Sequence, residues 1–197
     1  MYTDPPVWDR INSFALIAYV PEPLAGFLDR LRQELVPNCF VRAHVTLLPP
    51  RSLSSSPEEA WEAIRAQAAQ CAPFEIELAA IDVFPVSDVI YIQVTAGCEK
   101  LNQLHEAMNV NGLTSQEEFR YQPHVTLAQD LKPDQVDELV RVARSRWAEC
   151  PYPRSFRMEK VFFVQNTRGN EWVDLGECEL GRDASKLATE LTDSLVG

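Results

Sequence analysis

The sequence predicts an α+β fold made of two pseudo-symmetric lobes. Two observations carry that expectation. Segments of strand-like and helix-like periodicity alternate along the chain, and the tetrapeptide His-Val-Thr-Leu occurs at 44–47 and again at 124–127, 80 residues later, in matching surroundings. At 197 residues, 46% apolar and 24% charged, the chain can bury one sizeable core. Residues 1–182 are expected to form a single bilobal domain of two repeated halves, and 183–197 a polar tail or short docking helix.

Residues 12–20 are rich in aromatic and branched side chains and stop at Pro21, so they read as a buried strand. Leu24, Phe27, Leu28, Leu31 and Leu35 then recur at three- and four-residue steps until Pro37, the pattern of an amphipathic helix. A short strand through His44 to Leu48 and a turn-rich stretch at 49–56 follow. Pro57, Glu58 and Glu59 place acidic residues at the positive end of a helix reaching to about Gln70. Residues 74–78 alternate, and 83–86 with 89–94 flank a Ser-Asp turn, so this region reads as antiparallel strands. Leu101, Leu104, His105 and Met108 mark a helix closed near Asn111 and Gly112. A strand at 124–128, a helix opened by Pro133, and a last hairpin from 156–164 and 172–180 complete the order.

The halves match beyond the tetrapeptide. Each motif is followed by a helix opened by Pro57 or Pro133, by Cys71 or Cys150 near the helix end, and by two closing strands. Two of only three histidines heading identical tetrapeptides is a coincidence of order ~10⁻³ at typical residue frequencies. A pseudo-twofold arrangement would bring both motifs to one cleft.

Composition narrows the partners. With 18 basic against 29 acidic residues the net charge is −11, so the chain lacks the basic surface that holds long nucleic acid through its phosphates. No run approaches the roughly 20 apolar residues of a membrane helix. The apolar run at 14–20 lacks a basic leader, so it reads as a strand and a cytoplasmic location is expected. Five scattered cysteines, without a C-x-x-C pair, read as buried free thiols.

The chemistry lies in the paired motif. Side chains at i and i+2 of a strand share a face, so His44 and Thr46 look one way while Val45 and Leu47 face the core, and likewise His124 and Thr126. Imidazole titrates near ~6.5, so one ring can be neutral and the other protonated at working pH, as paired base and acid catalysis requires. Threonine hydroxyls can donate to the non-bridging oxygens of a phosphodiester, where charge develops in the transition state. This scheme calls for no metal or other cofactor. The histidines come from distant strands, without i, i+4 spacing or a cysteine or carboxylate cluster, which disfavours zinc.

His44-Val45-Thr46-Leu47 and Pro123-His124-Val125-Thr126-Leu127 resemble the two His-x-Thr/Ser motifs of the 2H phosphoesterase superfamily, nearest in character to its 2′-5′ RNA ligase-like, cyclic phosphodiesterase branch. The similarity in element order spans roughly residues 12–180. It implies two antiparallel sheets lining a central groove with helices outside. It also implies metal-independent action on 2′,3′-cyclic or 2′-5′-linked phosphates, with the threonines holding the phosphate. Many RNA-handling relatives carry a basic residue shortly after the second motif, whereas this chain has Gln129 and Asp130. The expected partner is therefore a small cyclic phosphate, a nucleotide or a short RNA end, acted on by a monomer. RNA ligation, the same chemistry in reverse, and a non-catalytic phosphate-binding module on the same fold are the alternatives.

Three further residues are candidate substrate ligands: Arg42, two residues before His44 and on its face by alternation; Arg51 at the groove rim; and Tyr121, placed to stack on a base. Arg168 reads as a solvated hairpin tip, and His105 as a helix residue with local partners.

Overall fold

The structure is a computed structural model and describes residues 6–181. Its strands are β1 (Arg10–Tyr19), β2 (His44–Arg51), β3 (Phe74–Val83), β4 (Ile90–Val94), β5 (His124–Ala128), β6 (Ser155–Met158), β7 (Lys160–Thr167) and β8 (Trp172–Glu179). Its α-helices are α1 (Leu24–Leu35), α2 (Pro57–Ala68), α3 (Cys98–Met108) and α4 (Val136–Ala148). The tail or docking helix expected at 183–197 lies outside the described residues. No helix among the described residues is long and apolar enough to cross a membrane.

All strand pairs are antiparallel, in the order β6-β3-β4-β5-β2-β1-β7-β8. This single eight-stranded sheet divides at its middle into two four-stranded halves, β6-β3-β4-β5 and β2-β1-β7-β8. They meet at β2 and β5 through a single registered pair, Val45 opposite Val125. Reading the order from both ends equates β5 with β2, β4 with β1, β3 with β7 and β6 with β8. The symmetric unit in space is therefore strand-helix-strand ending at the motif, β1-α1-β2 and β4-α3-β5. Matching the halves by sequence order alone equates β4 with β8, yet β4 lies beside β5 while β8 is an edge strand.

The helices cover one face, and two of them cross the seam. α1, which joins β1 to β2, packs against β5 and α4, while α3, which joins β4 to β5, packs against β2 and α2. α1 is held by its leucine stripe, with Leu24, Leu28, Leu31 and Leu35 all buried. α2 begins with a capping box in which the Ser56 hydroxyl accepts from the Glu59 N–H and the Glu59 carboxylate accepts from the Ser56 N–H. The opposite face of the first half carries a separate small cluster, Ala15, Ile17 and Val164 with Tyr19, Phe162 and Trp172 against it.

Two boundaries differ from expectation for the same reason, a change in strand parity. The chain at 74–86 is one strand to Val83 followed by a turn at Phe84, whose carbonyl accepts from the Asp88 N–H. A register shift between Leu78 and Ile81 breaks the alternation across Ala79-Ala80, so one strand looks like two. Conversely, 156–164 is two strands. Phe156 and Met158 are buried before Glu159, Val161 and Phe163 after it. The chain thus swivels by one residue and passes from pairing with β3 to pairing with β1 and β8. β2 also runs through Pro49 and Pro50 to Arg51, where a turn-rich stretch is expected.

Candidate active site

The seam positions the paired motif. Val45 and Val125 face each other and both are fully buried in the core. Their neighbours therefore point to the opposite face, with Thr46 beside His124 and His44 beside Thr126. Directly opposed side chains in such a pair stand about 5 Å apart at Cβ and diagonal ones about 7–8 Å. The two histidines occupy one diagonal of this rectangle and the threonines the other, and all four are half-buried.

Both imidazoles are anchored in the same way. Nδ1 of His44 lies 2.7 Å from the Arg42 carbonyl, and Nδ1 of His124 lies 2.6 Å from the Gln122 carbonyl, each two residues back. A carbonyl oxygen only accepts, so each Nδ1 carries hydrogen and each Nε2 is left to exchange a proton. On the far side of β5, Gln93 pairs with His124 and Tyr91 with Thr126. The His124 ring meets Phe84 and Tyr91 edge-on, with centroids at 5.0 and 5.3 Å. On the far side of β2, Tyr19 pairs with His44 and approaches its ring edge-on at 6.5 Å.

The surroundings are alike in shape and unlike in charge. Burial pushes His44 down to about 4, assisted by the positive fields of Arg32, His124 and Arg42 and opposed by the bond to the Arg42 carbonyl. Burial also holds His124 below the ordinary 6.5, opposed by the Gln122 carbonyl, but no arginine contributes there. Gln122 stands where the first half has Arg42, which explains part of the difference. Among the described residues no group of three or more His, Cys, Asp or Glu side chains is placed to hold a metal ion.

The family model of the 2′-5′ RNA ligase superfamily matches residues 20–170. The chain belongs to this superfamily. A Bacillus cytotoxicus protein whose name assigns it provisionally to the phosphoesterases is 36% identical over 147 residues, covering 71% of this chain and 82% of the relative. A Bacillus licheniformis protein named in the same way is 26% identical over 136 residues, 68% of this chain and 80% of its own length. The fold is that of LigT from E. coli. In its complex with 3′-AMP the TM-score is 0.61 at 15% identity, covering 87% of this chain and 99% of LigT. In the complex with NADP+ it is 0.59 at 16% identity over the same shares.

Within this superfamily fold the three further candidates part company. Arg42 precedes β2 instead of belonging to it, and it does lie beside His44. Its guanidinium sits 3.6 Å above the Tyr19 ring and bonds Asp174 at 2.6 Å, while the Tyr19 hydroxyl donates to the other Asp174 oxygen at 2.6 Å. Arg51 is a correction. Its side chain is 2% exposed and ion-paired to Glu117 at 2.5 Å. It also donates to the Asn109 amide oxygen and to the carbonyls of Leu113 and Pro49, so the guanidinium is engaged in the interior and not at a groove rim. Because β2 continues past Pro50, Arg51 enters the protein where a turn would have exposed it.

Tyr121 is tied into the seam. Its hydroxyl donates to the Thr46 carbonyl at 2.8 Å, and one face of its ring stacks on His105 at 4.0 Å with planes 3° apart. His105 is not satisfied locally either: its Nδ1 meets the Leu47 carbonyl at 2.7 Å, and Nε2 lies 3.6 Å from Glu117. Arg168 is exposed, as expected of a hairpin tip. The five cysteines are free but half-buried, less enclosed than expected. Sequence reasoning passed over Arg32, Phe84 and Tyr91. Arg32 left a signal, since it interrupts the apolar stripe between Leu31 and Leu35, where arginine rarely sits without a purpose.

Proposed function

We propose that the chain is a metal-independent phosphoesterase acting on 2′,3′-cyclic phosphate or 2′-5′ phosphodiester bonds of nucleotides or short RNA ends, with His44 as base and His124 as acid. The observation that carries this reading is the mirrored anchoring of two imidazoles by their Nδ1 atoms, with both Nε2 atoms left on one face beside two threonine hydroxyls. In the hydrolytic direction, Nε2 of neutral His44 accepts a proton from water as the oxygen bonds to phosphorus. Nε2 of protonated His124 donates its proton to the ribose oxygen as the phosphorus–oxygen bond breaks. Thr46 and Thr126 donate to the non-bridging oxygens, and Arg42 is near enough to His44 to turn from Asp174 toward the phosphate. The roles follow the charge asymmetry: the ring beside two arginines is the one kept neutral.

Substrate size follows from charge. Gln129 and Asp130 after the second motif are exposed and paired with each other at 3.3 Å, in a chain of net charge −11. That composition supports a small nucleotide or an oligonucleotide end over a long RNA. LigT, with the same fold, has been crystallised with 3′-AMP and with ATP. The test is hydrolysis of 2′,3′-cyclic nucleotides and short 2′-5′ oligonucleotides in excess chelator. His44→Ala and His124→Ala should each lose on the order of 10²-fold or more, and full activity in either variant would eliminate the scheme. A parallel reaction offering 2′,3′-cyclic and 5′-hydroxyl ends separates ligation from hydrolysis. Tight binding without turnover would mark a binding module.

A further inference from the structure

At the seam, β2 and β5 share one registered backbone pair, so the sheet by itself does little to set how the two histidine strands lie against each other. Side chains complete the joint, and they do so crosswise. Arg32, on the helix between β1 and β2, donates from a terminal guanidinium nitrogen to the Thr126 carbonyl of β5. Tyr121, three residues before β5 begins, donates its hydroxyl to the Thr46 carbonyl of β2 at 2.8 Å. Each motif threonine is held through its own carbonyl by a side chain from the opposite half.

Neither donor is incidental. Arg32 is 5% exposed, no carboxylate ion-pairs with it among the described residues, and its Nε has no hydrogen-bond partner there. A buried cation that no carboxylate contacts directly, with Asp29 acting on it only through its field, still costs stability, so its retention in a leucine stripe calls for another reason. Tyr121 is kept from swinging by its stack on His105, which is itself tied to the Leu47 carbonyl of the same strand.

We propose that Arg32 and Tyr121 are positioning residues, which set the spacing and tilt of the two histidine strands by holding the Thr126 and Thr46 carbonyls from across the seam. In a strand the carbonyl lies in the sheet while the side chain stands out of it. Pinning the carbonyl therefore fixes rotation of the strand about its own axis, and that rotation decides where the threonine, and the histidine two residues earlier, are aimed. The kinetic consequence rests on the hydrolytic reading above; the structural one does not.

The test combines steady-state kinetics on a 2′,3′-cyclic nucleotide with thermal melting and ¹H–¹⁵N spectra of the histidine rings in Tyr121→Phe, Arg32→Lys and Arg32→Met. Tyr121→Phe keeps the stacked ring and removes only the hydroxyl. Because small misplacements of reacting groups act on the chemical step, it should lower kcat about tenfold with KM within about threefold, while melting stays cooperative. Arg32→Met should lose at least as much, and Arg32→Lys, which can still donate to a carbonyl, should recover part of it. In each variant the ring signals of both His44 and His124 should move, although each substitution frees a carbonyl on one strand only. A folded Tyr121→Phe with unaltered kcat and unaltered ring signals on the far strand would overturn the proposal. If Arg32→Met does not fold, the other two variants decide. If the unsubstituted protein hydrolyses none of the substrates, the hydrolytic reading fails, and the ring signals alone decide whether the crosswise contacts position the strands.

Discussion

His44 and His124 head the same tetrapeptide and make the same Nδ1 contact, yet their protons are not held alike. His44 is pushed to about 4 and His124 below 6.5, in both cases first by burial, with arginine fields adding to the shift at His44 alone. For catalysis this places the pH optimum of kcat/KM in the free protein on the acid side of 6.5, with an acid limb near the His44 value. A profile still rising through pH 7.5 would contradict it. For stability the sign is definite. Between pH 6.5 and 4 the unfolded chain binds a proton at position 44 that the folded chain refuses, so stability falls as pH drops through that window and is unaffected above it. His44 contributes at most about 3 kcal/mol to that fall. Urea unfolding at pH 7 and 4.5 should show a smaller difference in His44→Asn than in the unsubstituted protein, and equal differences would refute the assignment. The arginines teach a related lesson. Arg42, on the His44 face, and Arg51, at the groove rim, were both candidate substrate ligands, but one is a surface cation beside the catalytic candidate and the other is a buried strut.

At the scale of elements, what positions the site is the crossing of α1 and α3 beneath the opposing halves. The start of α3 leaves no room for a side chain. Gly97, its N-cap, has φ 84°, and a Cβ there would stand 2.5 Å from the Glu75 backbone carbonyl. Gly97→Ala combines left-handed strain with a clash against backbone that cannot turn aside, so it should cost about 2–3 kcal/mol in chemical denaturation. A cost under half a kilocalorie would mean that α3 shifts freely. Helix existence was legible from leucine spacing, and α2 from Pro57 and its acidic first turn. Strand boundaries at Ala79-Ala80 and Glu159 were not, because a bulge and a swivel each change which parity faces the core, and the alternation that would mark the boundary is thereby shifted.

For the molecule as a whole, the charge of −11 and the single seam pair bear on substrate and on mechanism respectively. A site that grips one phosphate in an acidic protein should show weak salt dependence. The slope of log K against log salt for a short oligonucleotide should stay near or below about 1, since single-stranded contacts contribute roughly 0.7 each. A slope steeper than about 3 would reveal an extended phosphate track and return long RNA to consideration. Affinity should also gain little as the oligonucleotide is lengthened beyond its reacting end.

The amino-acid order by itself determined the α+β class, the two halves, and the placement of His44, Thr46, His124 and Thr126 on one side of their strands. Those properties depend on periods of two and of three to four residues and on self-similarity, all of which are local or visible by comparing the chain with itself. Only the tertiary structure decided that the spatial repeat begins one strand earlier than the sequence repeat, that Arg51 points inward, that Tyr121 binds a carbonyl, and that the fields of arginines bear on the proton of one histidine and not the other. Each of these is a matter of which element lies under which. That is settled by how α1 and α3 pass beneath the seam to bury their apolar stripes, a choice made by packing between distant segments and not inscribed in the periodicity of either one.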